Sequence, residues 1–434
     1  MTQLNLIFCL LCLLLSPLAA AGLSLIHQGL GRSRSAAHAM LATLCAVAIS
    51  AIVIVLLGAS WAGVAAGPAH IFYLAGVQWN WLGNLPTFVT SMHPDASPPA
   101  ILVCLHIFAA GLAAIIPLSA GTDRWRLAPI CLATAVFAGL IYPLFAHWVW
   151  GGGWLSQLAT NFGIAPFLDV GGAGVVQATG GLMALSVAWI LGPRRGKYTP
   201  EAMATAIPGH NIVQVLFGCL LALVGWIGLE SAASILFYGA TPDQIVRVAI
   251  NAILSASAGC LTAVAMTQIR YRKPDASISA NGWIAGLVAG SAACALVTPA
   301  AAIDIGLIAG VLVTYLIEIF ELRLLVDDPG GAISVHAAAG LWGLLALGIF
   351  GHFPGSGPAG PDYTRAEHIL AQLVGIATLL GLMLPLIHAA NLLLNRIAPY
   401  RVDSDGDWQG MDIRELGAGA YPEFVVHADE FVPR

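Results

Sequence analysis

Two nine-residue stretches of this chain share a pattern that could do chemistry. DVGGAGVVQ runs from Asp169 to Gln177, and DPGGAISVH runs from Asp328 to His336. Each has an Asp, a Gly-Gly pair two residues on, and a polar side chain eight places after the Asp. An Asp at a helix start can accept from the free N–H groups there and meets the positive end of the helix dipole. An imidazole carries one donor and one acceptor nitrogen and titrates near neutral pH, so His336 can pass a proton. Gln177 can hydrogen-bond such a ring through its amide but does not titrate. The pair therefore offers polarity and orientation with one proton-relay station.

The elements that must position these residues cross a membrane. Of 434 residues, 59% are hydrophobic and 9% charged, against about 25% charged in soluble domains. The chain is thus an all-α integral membrane protein, and its 48 glycines suit helices that approach closely in lipid. Its net charge of −5 carries little information, because placement matters more than the sum. The eight cysteines lie singly in apolar runs and imply neither a disulfide framework nor a metal site. No phosphate-binding loop, metal cluster or hydrolytic triad is visible, so no enzyme, cofactor or nucleic-acid partner is expected.

Eleven apolar runs approach the ~20 residues a span requires: 4–27, 38–62, 99–121, 127–149, 170–192, 211–231, 243–268, 278–297, 303–322, 333–351 and 367–394. The first lacks a basic leader and a cleavage site and reads as a retained span. Fifteen of the seventeen Lys and Arg follow odd-numbered spans, leaving only Arg247 and Arg365 on the other side. The positive-inside rule then places the N-terminus outside and the C-terminus in the cytoplasm. The expected organisation is a membrane domain, 1–394, and a cytoplasmic tail, 395–434. The longest outer loop is 63–98.

On this arrangement Asp169 starts span five from outside, and Asp328 starts span ten from inside. Five spans separate them, so the two halves form an inverted five-plus-five repeat, the plan of transporters whose site lies near the midplane. Eight residues at ~1.5 Å rise cover roughly 12 Å of a ~30 Å core. Gln177 and His336 are therefore expected at similar depths, approached from opposite faces.

In order along the chain, GLSLIHQGLGRSRS, AHWVWGGGWLSQL, DVGGAGVVQATGGLMAL, PGHNIVQVLFG, VGWIGLESAAS, VDDPGGAISVHAAAGLWG and GMDIRELGAGAYPEF resemble segments of the ammonium transporter (Amt/MEP/Rh) family. The resemblance implies a homotrimer of eleven-span subunits, each with its own pore for ammonium or ammonia, and a PII-type signalling protein at the cytoplasmic face. It implies that Trp150 stands at the outer mouth, where an aromatic face attracts a cation, and that Asp169 organises the recruitment region. Trp226 falls on the Trp that lines the pore, and His336 on the second of two pore histidines.

The chain departs from the family pattern at chosen places. Gln177 stands on the first pore histidine. Leu229 occupies one position of a paired-Phe outer gate, with Ala109 or Phe108 at the other. Ala233 replaces a Ser that accepts from the recruited ion, and His27 stands where the lower pore has Tyr. Glu230 replaces an Asn and reads as a cation-attracting group or a solvated helix end. Gly331 and Leu416 replace an Asp and a tail His, which bears on the PII partner. The remaining polar candidates read as structural: His106 and His388 as packing residues, Asp304 as a helix cap, and Glu318 and Glu321 as partners of nearby Arg. Ammonium transport is the first reading. A transport-poor ammonium sensor or a neutral-gas pore for ammonia or carbon dioxide are the alternatives.

Overall fold

The structure is a computed structural model that describes residues 3–64, 70–84, 97–353 and 363–421. Residues 65–69 and 85–96 of the 63–98 loop, and the end of the tail, 422–434, lie outside the described residues. The helices are α1 Gln3–Leu30, α2 Ser33–Trp61, α3 Pro98–Gly121, α4 Leu127–Val149, α5 Ala173–Leu191, α6 Ile212–Tyr238, α7 Pro242–Tyr271, α8 Ala276–Ser291, α9 Pro299–Arg323, α10 Ile333–Phe350 and α11 Arg365–Ile397. Among the described residues, ten of these are long and apolar enough to cross a membrane. The exception is α8, with 16 residues. Its apolar run continues to 297, but residues 292–296 are turns. A small antiparallel hairpin, β1 His70–Leu74 and β2 Val77–Leu82, joins α2 to α3 at one end of the bundle. The tail lies at the other end.

The repeat seen in sequence is a repeat in backbone. Gly172 and Gly331, each three residues after its Asp, have φ of +88° and +72°, the left-handed region in which glycine carries no Cβ penalty. Both α5 and α10 then open with six residues wound as a π-helix, Ala173–Ala178 and Ile333–Ala338. Gln177 and His336 sit in those wider turns. Such turns leave the ordinary i−4 ladder and are frequent at functional sites. The helices therefore begin four or five residues after each Asp, and the approach is not a uniform eight-residue α-helical run.

The two helices cross with backbones nearly touching. A Cβ on Gly181 would overlap the backbone of Ala337, and one on Gly340 would overlap the carbonyl of Ala173. Each glycine lies twelve residues after the Asp of its repeat, so the contact is reciprocal. Close approach of this kind is what small residues permit where lipid supplies no hydrophobic drive.

At the tail end, buried charges tie the loops together. Arg194 forks onto Asp327 with two bonds of 2.9 Å and reaches Asp123 at 3.2 Å. Arg124 donates to the carbonyls of Thr122, Gly192 and Asp327. Burial alone would raise the Asp327 carboxyl, but Arg124 and Arg194 outweigh it and hold it at about 2. Tail carboxylates also cap the membrane helices. Asp412 accepts from the N–H groups of Ala37 and His38 at the start of α2, and Glu415 from that of Leu127 at the start of α4.

Asp327 sets an acid limit. Its folded value lies below the ordinary ~3.9, so its contribution is present above that pH and is lost as pH falls through about 2. The loss is worth roughly 2 kcal/mol. Detergent-solubilised protein should keep a constant melting temperature down to about pH 4 and lose it below, and Asp327→Asn should flatten that acid fall. An unchanged acid profile in the variant would exclude the assignment.

Candidate substrate path

At the centre of the crossing, His336 Nδ1–H donates to Gln177 Oε1 at 2.8 Å. Both side chains are buried. The amide carbonyl thus selects the tautomer with its proton on Nδ1, which leaves Nε2 with a lone pair. The sequence-expected meeting of the two eighth residues is what the structure has. Toward the tail end, His27 of α1 is buried with Nδ1 unpartnered, next to the Gly330 turn before α10. Also at that end, a cavity of about 510 Å³ is lined by Leu30, Asn281, Asp327, Asp328, Gly331 and Ser334 among others.

Toward the hairpin end stands Asp169, fully buried. Its Oδ1 accepts from the N–H of Gly172 at 3.1 Å, and its Oδ2 from those of Gly174 and Val175 at 2.8 and 2.9 Å. Asp328 does the equivalent work for α10, accepting from Ile333 N–H at 2.7 Å. Trp150, just beyond α4, donates its ring N–H to the Asp169 carbonyl at 2.7 Å. Its indole is stacked on Phe237, with centroids 4.6 Å apart and planes 15° from parallel. One face of the expected cation-attracting ring is therefore covered by a neighbouring aromatic.

Trp226 is buried and donates to Ser291 Oγ at 3.1 Å. Leu229 and Ala233 are buried on the same helix, and Ala109 is buried on α3. Three residues that sequence reasoning passed over or read as packing join the site. Phe237 covers Trp150, Tyr238 accepts the Asp169 backbone N–H at 3.1 Å, and His106 lies 6.1 Å from Trp150 ring to ring while bonded to the Tyr142 hydroxyl. Only the aromatic richness of SILFY at the end of α6 hints at the first two.

Several expectations are corrected. Glu230 is not a solvated helix end: it is 1% exposed, and its Oε1 accepts from Ser291 Oγ at 2.7 Å. Asp304 does not cap α9; Thr298 does, accepting from Ala301 N–H, while Asp304 is exposed further along. Glu318 pairs with Arg270, but Glu321 pairs with Lys197 and not with an Arg. His388 packs as expected, bonded to Ser186 Oγ at 3.1 Å.

Comparison with known proteins gives these features a lineage. The family model for the Ammonium Transporter Family matches residues 7–421. The ammonium transporter Amt2 of Archaeoglobus fulgidus is 33% identical, over 96% of this chain and 88% of that protein. The ammonium transporter of Bacillus subtilis is 29% identical, over 96% and 98%. Among solved structures, one described as a sensor Amt protein superposes with a TM-score of 0.84 at 26% identity, over 95% of this chain and 98% of its own. Candida albicans Mep2 does so at 0.78 and 21%, over 93% and 87%, a likeness of fold. The chain is a multi-pass membrane protein and belongs to the Ammonium Transporter Family.

Proposed function

We propose that the chain carries ammonium and ammonia across the cytoplasmic membrane through a pore in each subunit. Family membership and similarity to ammonium transporters support transport. The observation that carries the reading for this chain is the buried His336–Gln177 bond where α5 and α10 cross. An ionisable group at that depth is costly and marks a pathway. Potassium matches ammonium in charge and nearly in size but has no proton to give, so a path that admits the deprotonated form discriminates between them.

In this reading the subunit has eleven spans, with α8 as the shortest, and the hairpin end faces outward with the tail in the cytoplasm. Residues 1–394 form the membrane domain and 395–434 the cytoplasmic tail. Three identical subunits assemble, and the tail end offers a face to a PII-type protein. Asp169 organises the outer site beside Trp150, with Leu229 and Ala233 lining the way inward. Trp226, Gln177, His336 and His27 then line the inner path.

Purified protein in proteoliposomes should take up radiolabelled methylammonium along its gradient. Gln177→His should raise that uptake several-fold by restoring a second titrating ring. No uptake by well-folded protein would sink the reading, and an unchanged rate in the variant would show that Gln177 does not limit it. The transport-poor sensor is favoured by a specific combination: Gln177, Leu229 and Ala233 at altered positions, together with the 0.84 superposition on a sensor Amt protein. It is distinguished by ammonium binding without uptake, accompanied by changed hydrogen exchange at the tail caps Asp412 and Glu415.

A further inference from the structure

We propose that Glu230 is the group that accepts the proton ammonium gives up on its way to the Gln177–His336 pair. The inference rests on the transport reading. It starts from an asymmetry between two buried carboxyls. Asp169 has both oxygens occupied by backbone N–H donors, which is the environment of a settled carboxylate. Glu230 is equally buried, yet only its Oε1 has a partner, the Ser291 hydroxyl, and its Oε2 has none. A bare carboxylate oxygen away from water is expensive unless something protonates or binds it. Two neighbouring carboxyls whose surroundings differ in this way take different roles, one fixed and one exchanging.

Placement fits that role. Gly171, in the turn that Asp169 organises, packs so closely on Glu230 that a Cβ there would lie 2.8 Å from the Glu230 Cγ. An ion drawn to the Asp169 region therefore comes within one turn of Glu230. On its other side, Ser291 Oγ links Glu230 to Trp226, since it also receives the indole N–H at 3.1 Å. The titratable groups facing Glu230 are Asp169, from the turn before α5, and Cys294, from the segment after α8. Neither brings a positive charge that would lock it as an anion.

The step balances simply. One N–H bond of ammonium breaks with its electron pair left on nitrogen, an O–H bond forms at Oε2, and ammonia moves on past Trp226. Water later takes that proton and restores the carboxylate. The step supplies a titrating station in a path where Gln177 cannot titrate.

Glu230→Gln keeps the shape and the Ser291 bond but cannot take the proton. In proteoliposomes it should lower methylammonium uptake about tenfold, below the usual contribution of a positioned proton-transfer group, and flatten its dependence on external pH. Adding Gln177→His to that variant should restore at least half the uptake. Native uptake and an unaltered pH profile in Glu230→Gln would overturn the proposal, as would failure of the second substitution to rescue. Difference infrared spectroscopy of the native protein tests the same point without transport or variants. In alkaline buffer, where the buried carboxyl starts ionised, adding ammonium should produce a carboxylic-acid carbonyl band, and a spectrum without one overturns the proposal. Native protein that shows the band but no uptake would instead count against transport.

Discussion

His336→Ala gives a folded, membrane-inserted protein whose methylammonium uptake falls by roughly a hundredfold, the lower end of what a positioned proton-transfer group contributes. The substitution removes the only titrating side chain of the buried pair and leaves the Gln177 carbonyl without its 2.8 Å donor. Some loss of stability accompanies it, because an imidazole-sized cavity opens beside the crossing of α5 and α10. The crossing itself should hold, since it depends on the backbone approach at Gly181 and Gly340 and not on the ring. The separating control is His336→Gln, which can still donate to Gln177 through its amide but cannot titrate. If proton passage is what His336 supplies, the Gln variant is as impaired as the Ala variant. Native uptake in His336→Gln would mean that polarity alone suffices at this depth.

The pairing of Gln177 with His336 is legible in the chain itself. The spacing of Asp169, Gln177, Asp328 and His336 already placed two polar side chains at one crossing, because capping carboxylates and helix rise are local rules. The apolar runs located the helices for the same reason, and the tail–loop charge network follows from Arg and Asp gathered on one side. What spacing cannot show is the π-wound opening of α5 and α10. A run such as AGVVQA suits an i−4 ladder as well as an i−5 one, and the choice falls to the packing of the whole crossing. Trp150 illustrates a second limit. The resemblance implies a cation-attracting ring there, and Phe237, 87 positions further along the chain, stacks on one of its faces. Glu230 illustrates a third, since its burial is decided by Ser291 and Gly171 on other elements. A carboxylate near the end of an apolar run is ordinarily solvated, and nothing within α6 says otherwise.

Asp169→Ala should prevent accumulation of stable protein. Three buried N–H groups, those of Gly172, Gly174 and Val175, lose their acceptor together. The three donors belong to buried residues, and each one left orphaned costs about 1–3 kcal/mol. Their sum, roughly 3–6 kcal/mol after partial relaxation, is a large share of any protein's net stability. The damage should spread along the path. The same turn holds the Trp150 ring through the Asp169 carbonyl and donates the Asp169 N–H to the Tyr238 hydroxyl, so its loosening disorders both. Asp169→Asn separates scaffold from charge. Its single amide oxygen can keep the bonds to Gly174 and Val175, while its NH2 faces the Gly172 N–H and forfeits one. That variant should purify as a monodisperse species with a melting temperature lowered by a few degrees, yet take up methylammonium about tenfold more slowly, the uncharged amide having lost roughly 1.4 kcal/mol of attraction for the cation. Size-exclusion profiles, thermal melts and uptake on the two variants decide the matter. Native stability in Asp169→Ala would mean that the α5 donors find other partners. Native uptake in Asp169→Asn would remove the charge from the mechanism and leave Asp169 a scaffold alone.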